Sequence, residues 1–514
     1  MSQGRKEKSE PMLFIPSGGV YAHIPKNHFY EQLDGVVDLS FVYEMTRSLY
    51  AERMGRPSLD PVIFFKCMLI GFFENIIYDT ELEFRIGDSF MLRKFLGYGL
   101  DERTPDESTL RKTRQRMPEE AFGAVFEYVL DLCQKWNLLR GRAIGTDSTL
   151  VDANASMDSL RHKELGCCYE EYVLALRRQD VPDATRDEAA QADKNRKGKA
   201  SNRDWESTTD PESRIMQHSD GHTHLSYKVD ATVDLESGVI VAAGANFGDA
   251  SDQSDCLERV DEAKASLEER GLKPIAVVGD KGHHSGENLV GIEDRGLIPL
   301  ISSPNHNRGK PGFRREDFIY DQTSDTLICP CGQMMTRLSK GDGSARHYKA
   351  KGSVCRSCPN FGVCTTDRRG RAVMVSVYEE QMRANRDRVH SEEARPLMQI
   401  RRQRGEAPFG YFKQFGGLRR FAGRGLVYAT KKVLIAALGW NLLVLVKALI
   451  RHTPSTDTIV GLIQLILALM KGMMRPWTRF HAPKPRKTRD QRQCGYHSPF
   501  ISVTAQKATL SGGC

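Results

Sequence analysis

Three acidic residues stand where carboxylates are costly. Asp147 lies inside a short β-prone run, AIGTDSTLV; Asp280 ends the apolar run PIAVVGD; Glu406 sits in a basic helical stretch. An ionised carboxylate on a buried strand is expensive unless it is paired or coordinates a metal. Acids at the carboxyl edge of an α/β sheet also face the usual ligand crevice. Three of them brought together would repel one another. Mg²⁺ offsets that repulsion, takes oxygen ligands and keeps waters, which leaves room for substrate phosphates. Two such ions can activate an attacking oxygen and stabilise a leaving one in phosphodiester displacement. The residues alone leave a plainer reading open, because Asp often caps strands and helices and GTDST also suits an Asx turn.

Two further groups could do chemistry. Arg395, Arg401, Arg402, Arg404, Lys413, Arg419, Arg420 and Arg424 crowd around Glu406, with Phe409, Tyr411, Phe412 and Phe415 between them. Such a basic surface neutralises phosphates and gives salt-sensitive affinity for DNA; the aromatics read as core. Arg111, Lys112, Arg114 and Arg116 follow a capped helix start at Asp106 and form a second candidate DNA face. Five of the twelve cysteines lie between Cys329 and Cys364, as Cys329-Pro-Cys331, Cys355-x-x-Cys358 and Cys364. Thiolates so spaced can close a tetrahedral zinc site that holds together a small segment with little core of its own. Free thiols or a redox pair are the alternatives. His218, His222 and His224 read as surface histidines in a turn.

The elements that must position these residues follow from composition and period. The chain has 514 residues, 40% hydrophobic and 27% charged, with a net charge of +8. These values exclude wholesale disorder, collagen-like repeats and a polytopic membrane protein, and the excess of base suggests a nucleic-acid partner. Met1 to Glu10 carry no secretory pattern, so a reducing cytosol is expected. Val433 to Ile450 is apolar but contains Asn441 and Lys447, so it reads as a buried helix rather than a membrane span, and Gly461 to Met470 as a second apolar helix. Residues 28–135 read as helical. From 142 to 301 the order is strand, hairpin, helix, strand, helix, strand, which suits a mixed sheet with helices on both faces. Residues 156–216 are charged and poor in large apolar residues, and the stretch DKNRKGKASNRDWESTTDPES within them reads as a solvated loop.

Taken together, these motifs resemble DDE-type transposases of bacterial insertion sequences. GTDSTLVDANAS resembles the first-aspartate strand of that family and VVGDKGHHSGENLV the second. RRQRGEAPFGYFKQFGGLRRFAGRG, running on to ALGWNLLVL, resembles the glutamate region, with the spacing Arg402-x3-Glu406-x6-Lys413. GRPSLDP, FLGYGL and PDESTLRKTRQR resemble the family's helical N-terminal region. Two positions depart from the pattern: the signature Tyr before Arg402 is Gln399, and the Tyr after Asp280-Lys281-Gly282 is His283. Both departures are expected to weaken DNA contacts.

The resemblance implies a ribonuclease-H-like α/β core, an all-α N-terminal region and a small cysteine-rich insertion. It divides the chain into a helical DNA-binding region (1–135), the first part of the catalytic core (136–305), the insertion (306–385), the helical part of the core with Glu406 (386–475) and a basic tail (476–514). It implies that Asp147, Asp280 and Glu406 bind two Mg²⁺ or Mn²⁺ ions, and that Arg402 and Lys413 fix the DNA end. Family patterns point to Cys329, Cys355, Cys358 and Cys364 as zinc ligands, with Cys331 spare. The implied activity is cleavage and strand transfer at the element's terminal inverted repeats into target DNA, by a homodimer on double-stranded DNA. The resemblance also suggests release of the element through a hairpin on its own end. A nuclease that cuts without joining, and a non-catalytic zinc-containing DNA-binding protein, are the alternatives.

Overall fold

The computed structural model describes residues 24–51, 58–196, 199–218, 220–304, 312–321, 323–338 and 345–452. The chain divides at Thr453 into two units, and the elements that follow belong to the first. The expected apolar helix at 461–470 and the basic tail at 476–514 lie outside the described residues.

Among the described residues, seven α-helices come first: α1 (Phe29–Val36), α2 (Val42–Thr46), α3 (Pro61–Phe73), α4 (Asp79–Asp88), α5 (Phe90–Leu96), α6 (Glu107–Arg116) and α7 (Glu119–Lys135). Local chemistry starts them. The Asp60 carboxylate accepts from the N–H groups of Val62 (2.8 Å) and Ile63 (3.3 Å), with Pro61 in the first turn; a cap of this kind is worth about 1 kcal/mol. Asp106 does the same for Thr109 at 2.7 Å. Helix α3 is apolar almost all round, and ten of its thirteen residues are buried, as befits a helix enclosed by others.

The sheet begins with β1 (Ala143–Asp152). The charged stretch that follows carries regular elements on both sides of residues 194–204, and the stretch read as a loop contains one short strand. The elements are β2 (Leu160–His162), α8 (Tyr169–Asp180), α9 (Arg186–Asp193) and β3 (Trp205–Ser207), with β2 and β3 paired antiparallel. Trp205 is buried among His162, Tyr169 and Tyr172. One large aromatic gathers this segment, and the surrounding charge hides it from a composition-based reading.

Next come β4 (Arg214–Gln217), β5 (Thr223–Asp234), β6 (Ile240–Phe247), α10 (Asp252–Glu269), β7 (Ala276–Gly279), α11 (Gly286–Asp294) and β8 (Ile298–Ile301). The sheet order is β4-β5-β1-β7-β8, with β6 beside β5. β5 is antiparallel to β1 and β6, whereas β1, β7 and β8 run parallel. Alternation sorts the faces. Ile144, Val277 and Ile301 join the larger core with Leu289 and Ile292 of α11. Ala143, Ala276, Val278 and Leu300 face the other way, into a smaller cluster. The expected mixed sheet covered on both faces is therefore present.

A second sheet follows, in the order β13-β12-β11-β10-β9: β9 (Ile319–Asp321), β10 (Thr326–Ile328), β11 (Met334–Arg337) and β12 (Ala345–Lys349), then α12 (Gly352–Arg356) and β13 (Ala372–Ser376). It has its own small core of Phe318, Leu327, Met335, Tyr348, Val373 and Val375, with Cys329, Cys355 and Cys364 packed against it. Four helices close the unit: α13 (Glu379–His390), α14 (Ala394–Ile400), α15 (Ala407–Gln414) and α16 (Leu426–His452).

Among the described residues only α16 is long and apolar enough to cross a membrane, and 67% of its apolar window is buried inside the protein. Asn441 explains why the helix carries an amide. Its Oδ1 accepts from the Ile240 N–H and its Nδ2 donates to the Ile240 carbonyl, both at 2.8 Å, which satisfies backbone groups of β6. The N-terminal helices, the sheet and α16 share one core, running from Leu33 through Phe122 and Val229 to Leu438. The change of element type near residue 136 is not a break in packing.

Candidate active site

Asp147 shares strand parity with Ala143 and Gly145, so its side chain lies on the face covered by α14. Asp280 follows β7 directly, two residues after Val278 on that same face. Glu406 arrives from the far side of the chain. Between α14 and α15, residues Arg401–Gly405 form a π turn, and Glu406 is the N-cap of α15, with Pro408 in the first turn. In an α-helix residues five apart point about 140° away from each other; a π turn, bonded i to i+5, stacks them. Arg401 and Glu406 are five apart.

Arg401 bridges two of the three acids. Its Nη2 lies 3.5 Å from Asp147 Oδ2 and its Nη1 3.7 Å from Glu406 Oε1. Its charge also adds, after that of His283, to the lowering of the Asp280 pKa. Burial raises the pKa of the Asp147 carboxyl; Arg401 and the Ser148 N–H pull it down, and the charge of Asp280 pushes it up again. Asp280 behaves oppositely. Burial pushes it up, but the hydrogen bond and charge of His283, the Gly282 N–H and Arg401 outweigh that and hold it at about 2. Two carboxyls in one site are thus driven apart in acidity, an arrangement concentrated at functional sites.

His283, read from the sequence only as a departure from the family motif, is buried against Asp280. It is 3% exposed, and its Nδ1 lies 2.9 Å from Asp280 Oδ1. Its carbonyl accepts from Asn288 Nδ2 at 3.0 Å, which ties the Asp280 turn to α11. Neither His283 nor Arg401 is read as part of the acidic site from the sequence.

The expected DNA contacts separate. Lys413 is half-buried, and burial lowers its pKa against the opposing charge of Asp152. It lines a cavity of about 530 Å³ with Ser148, Thr149 and His218. Arg402 instead lines a different cavity, of about 910 Å³, with Arg314, Arg386, Arg395 and Gln399. Arg111 is exposed and ion-paired to Glu107 at 3.5 Å. Arg114 is not on that face: its side chain is 13% exposed and grips Asp79 with two bonds, at 2.5 and 2.8 Å, over the Tyr428 ring. Phe409 and Phe412 are core and Phe415 is exposed. His218 is less exposed than a turn histidine; its Nε2 lies 2.7 Å from Ser226 Oγ, and its ring packs on that of His224.

All five clustered cysteines line one cavity of about 30 Å³. Cys331, set aside as spare, belongs to the group: its Sγ lies 3.4 Å from Cys358 Sγ and accepts from Asn360 Nδ2 at 3.0 Å. Among the described residues no group of three or more His, Cys, Asp or Glu is arranged to hold a metal ion. The donor chemistry nevertheless fits: three carboxylates supply the hard oxygens that Mg²⁺ and Mn²⁺ prefer, and Arg401 supplies the positive charge they demand.

Comparison with known proteins gives two family matches. Residues 19–116 match a transposase domain of the DUF772 type, and residues 328–446 match a transposase DDE domain. The second span contains the five cysteines, Arg402, Glu406 and Lys413. No curated protein matches the chain. Among solved structures, the chain is similar to a piggyBac transposase in a synaptic complex with hairpin DNA, at 10% identity over 82% of this chain and 74% of that one, with a TM-score of 0.29; a likeness that low has no bearing on the fold. The two domain matches, in order along one chain, support a DDE-type transposase.

Proposed function

We propose that the protein cleaves double-stranded DNA at the ends of an insertion sequence and joins those ends to target DNA. The observation that carries this reading is the bridging of Asp147 and Glu406 by Arg401, with Asp280 at the end of the strand beside that of Asp147. These three carboxylates would hold Mg²⁺ or Mn²⁺, which when bound activates the attacking oxygen and stabilises the leaving one. The remaining work falls to the chain's own groups. His283 and the Gly282 N–H hydrogen-bond Asp280 Oδ1 and would hold that carboxylate in one orientation. Lys413, beside Ser148 and Thr149, would neutralise a phosphate there, and Arg402 would engage the backbone further along. Arg111 stays a candidate for phosphate contact on the N-terminal helices.

The cysteine cavity would take a structural zinc ion, with Cys331 competing for a place among the four ligands. Pairing two DNA ends calls for a homodimer on DNA, and such an enzyme would work at the nucleoid in the cytoplasm. A strand-transfer assay tests the reading: a labelled duplex carrying the gene's flanking end, incubated with a supercoiled target plasmid and Mg²⁺, should become joined to the plasmid. Cleavage without joining would favour a nuclease. Binding with neither would favour a DNA-binding protein without catalysis.

A further inference from the structure

Arg401 is placed differently from the other arginines of its basic run. Its side chain is 9% exposed, and its Nε is buried without a hydrogen-bond partner. It begins the one π turn found among the described residues, and the same turn delivers Glu406. A buried guanidinium left part-satisfied is costly, and so are carboxylates gathered without a counter-charge. Here each relieves the other.

The contacts are nonetheless loose. At 3.5 and 3.7 Å they exceed the 2.7–2.9 Å of a tight charge-assisted bond, and they fall on two different carboxylates. Arg114 shows what a locking arginine looks like in this protein, with two short bonds to one carboxylate. Arg401 is held by charge more than by a fork of hydrogen bonds. A divalent ion bonded to the same oxygens would lie within a few ångströms of the guanidinium and repel it.

We propose that Arg401 is the resident counter-ion of the carboxylate triad: it holds Asp147 and Glu406 together in the metal-free protein, and divalent metal must displace it to bind. This rests on the triad reading above. Metal entry is then an exchange of charges, which weakens metal binding and couples it to movement of the π turn.

The test is Mn²⁺ binding to the full-length protein, followed by calorimetry and by the loss of the free-ion resonance signal. Arg401→Gln should bind Mn²⁺ about tenfold more tightly than the wild type, or tighter still, and Arg401→Lys should stay near it. In the wild type, an arginine-selective dicarbonyl reagent read out by mass spectrometry should label Arg401 faster with Mn²⁺ than with EDTA. That second measurement stands even where Arg401→Gln folds poorly. Binding that is lost in Asp280→Asn but unchanged or weaker in Arg401→Gln, or labelling of Arg401 indifferent to Mn²⁺, would overturn the role of Arg401 alone. Absence of Mn²⁺ binding in the wild type, or binding unaffected by Asp280→Asn, would overturn the triad reading itself.

Discussion

Replacing Asp280 by Asn probes the electrostatics of the site without changing its shape. The carboxyl falls from an ordinary 3.8 to about 2 in the folded chain, worth about 2.4 kcal/mol at about 1.36 kcal/mol per pH unit. The side chain is 35% exposed, so solvent screening cuts this to about 1 kcal/mol. The sign follows from the direction. Folded Asp280 is more acidic than unfolded, so its stabilisation is complete above pH ~3.8 and fades as pH falls through about 2. Urea unfolding followed by tryptophan fluorescence should therefore show Asp280→Asn losing about 1 kcal/mol at pH 7, with the loss shrinking between pH 4 and pH 2.5. His283 supplies both the leading hydrogen bond and the leading charge. In a His283→Ala background the same substitution should cost less than half as much, a coupling that a double-mutant cycle reads directly. An equal cost in both backgrounds, or a stability gain at pH 7, would refute the assignment of His283 as the partner that lowers the Asp280 pKa.

The other predictions concern the edges of the account. Arg114→Met leaves Asp79 largely buried and unpaired, so it should destabilise the protein by about 3 kcal/mol in thermal or urea unfolding. It should leave the salt dependence of DNA binding unchanged; a shallower slope would return Arg114 to the DNA face. Arg111→Ala should cost under about 0.5 kcal/mol of stability and flatten the plot of log affinity against log salt by about one phosphate contact. Protein purified without added metal should carry one zinc per chain by elemental analysis. Cys358→Ser should lose it; full zinc retained in Cys331→Ser would return Cys331 to its place as the spare thiol, and no zinc in the wild type would remove the metal from the account.

Much of the fold is legible because its elements carry strong local signals. The period-2 run HLSYKVDATVD and the apolar GVIVAA become β5 and β6, and PIAVV and LIPLIS become β7 and β8. Asp147 and Asp280 stand out because a charge on such a strand needs a reason. What stays hidden depends on contacts distant in sequence. Arg114 looks like its exposed neighbours, but α6 turns Leu110 and Thr113 inward, and the partner Asp79 comes 35 residues earlier. Arg401 is one arginine in a basic run until a π turn, which no hydrophobic period announces, aims it at Asp147. The segment after β1 is polar almost throughout, and its fold turns on Trp205, one residue that period and composition both pass over. His283 reads as a departure from a family motif, and only the folded turn shows it bonded to Asp280.

The central claim is that Asp147, Asp280 and Glu406 act as one metal-dependent site on DNA. The most direct measurement is cleavage of end-labelled duplex carrying the gene's own flanking ends, with Mg²⁺ or with EDTA, by the wild type and by Asp147→Asn, Asp280→Asn and Glu406→Gln. The account predicts Mg²⁺-dependent 3′ nicking at the end in the wild type, reduced by at least about a thousandfold in each variant while DNA binding persists. Nicking that survives in any one of the three variants, or that proceeds equally in EDTA, would contradict it.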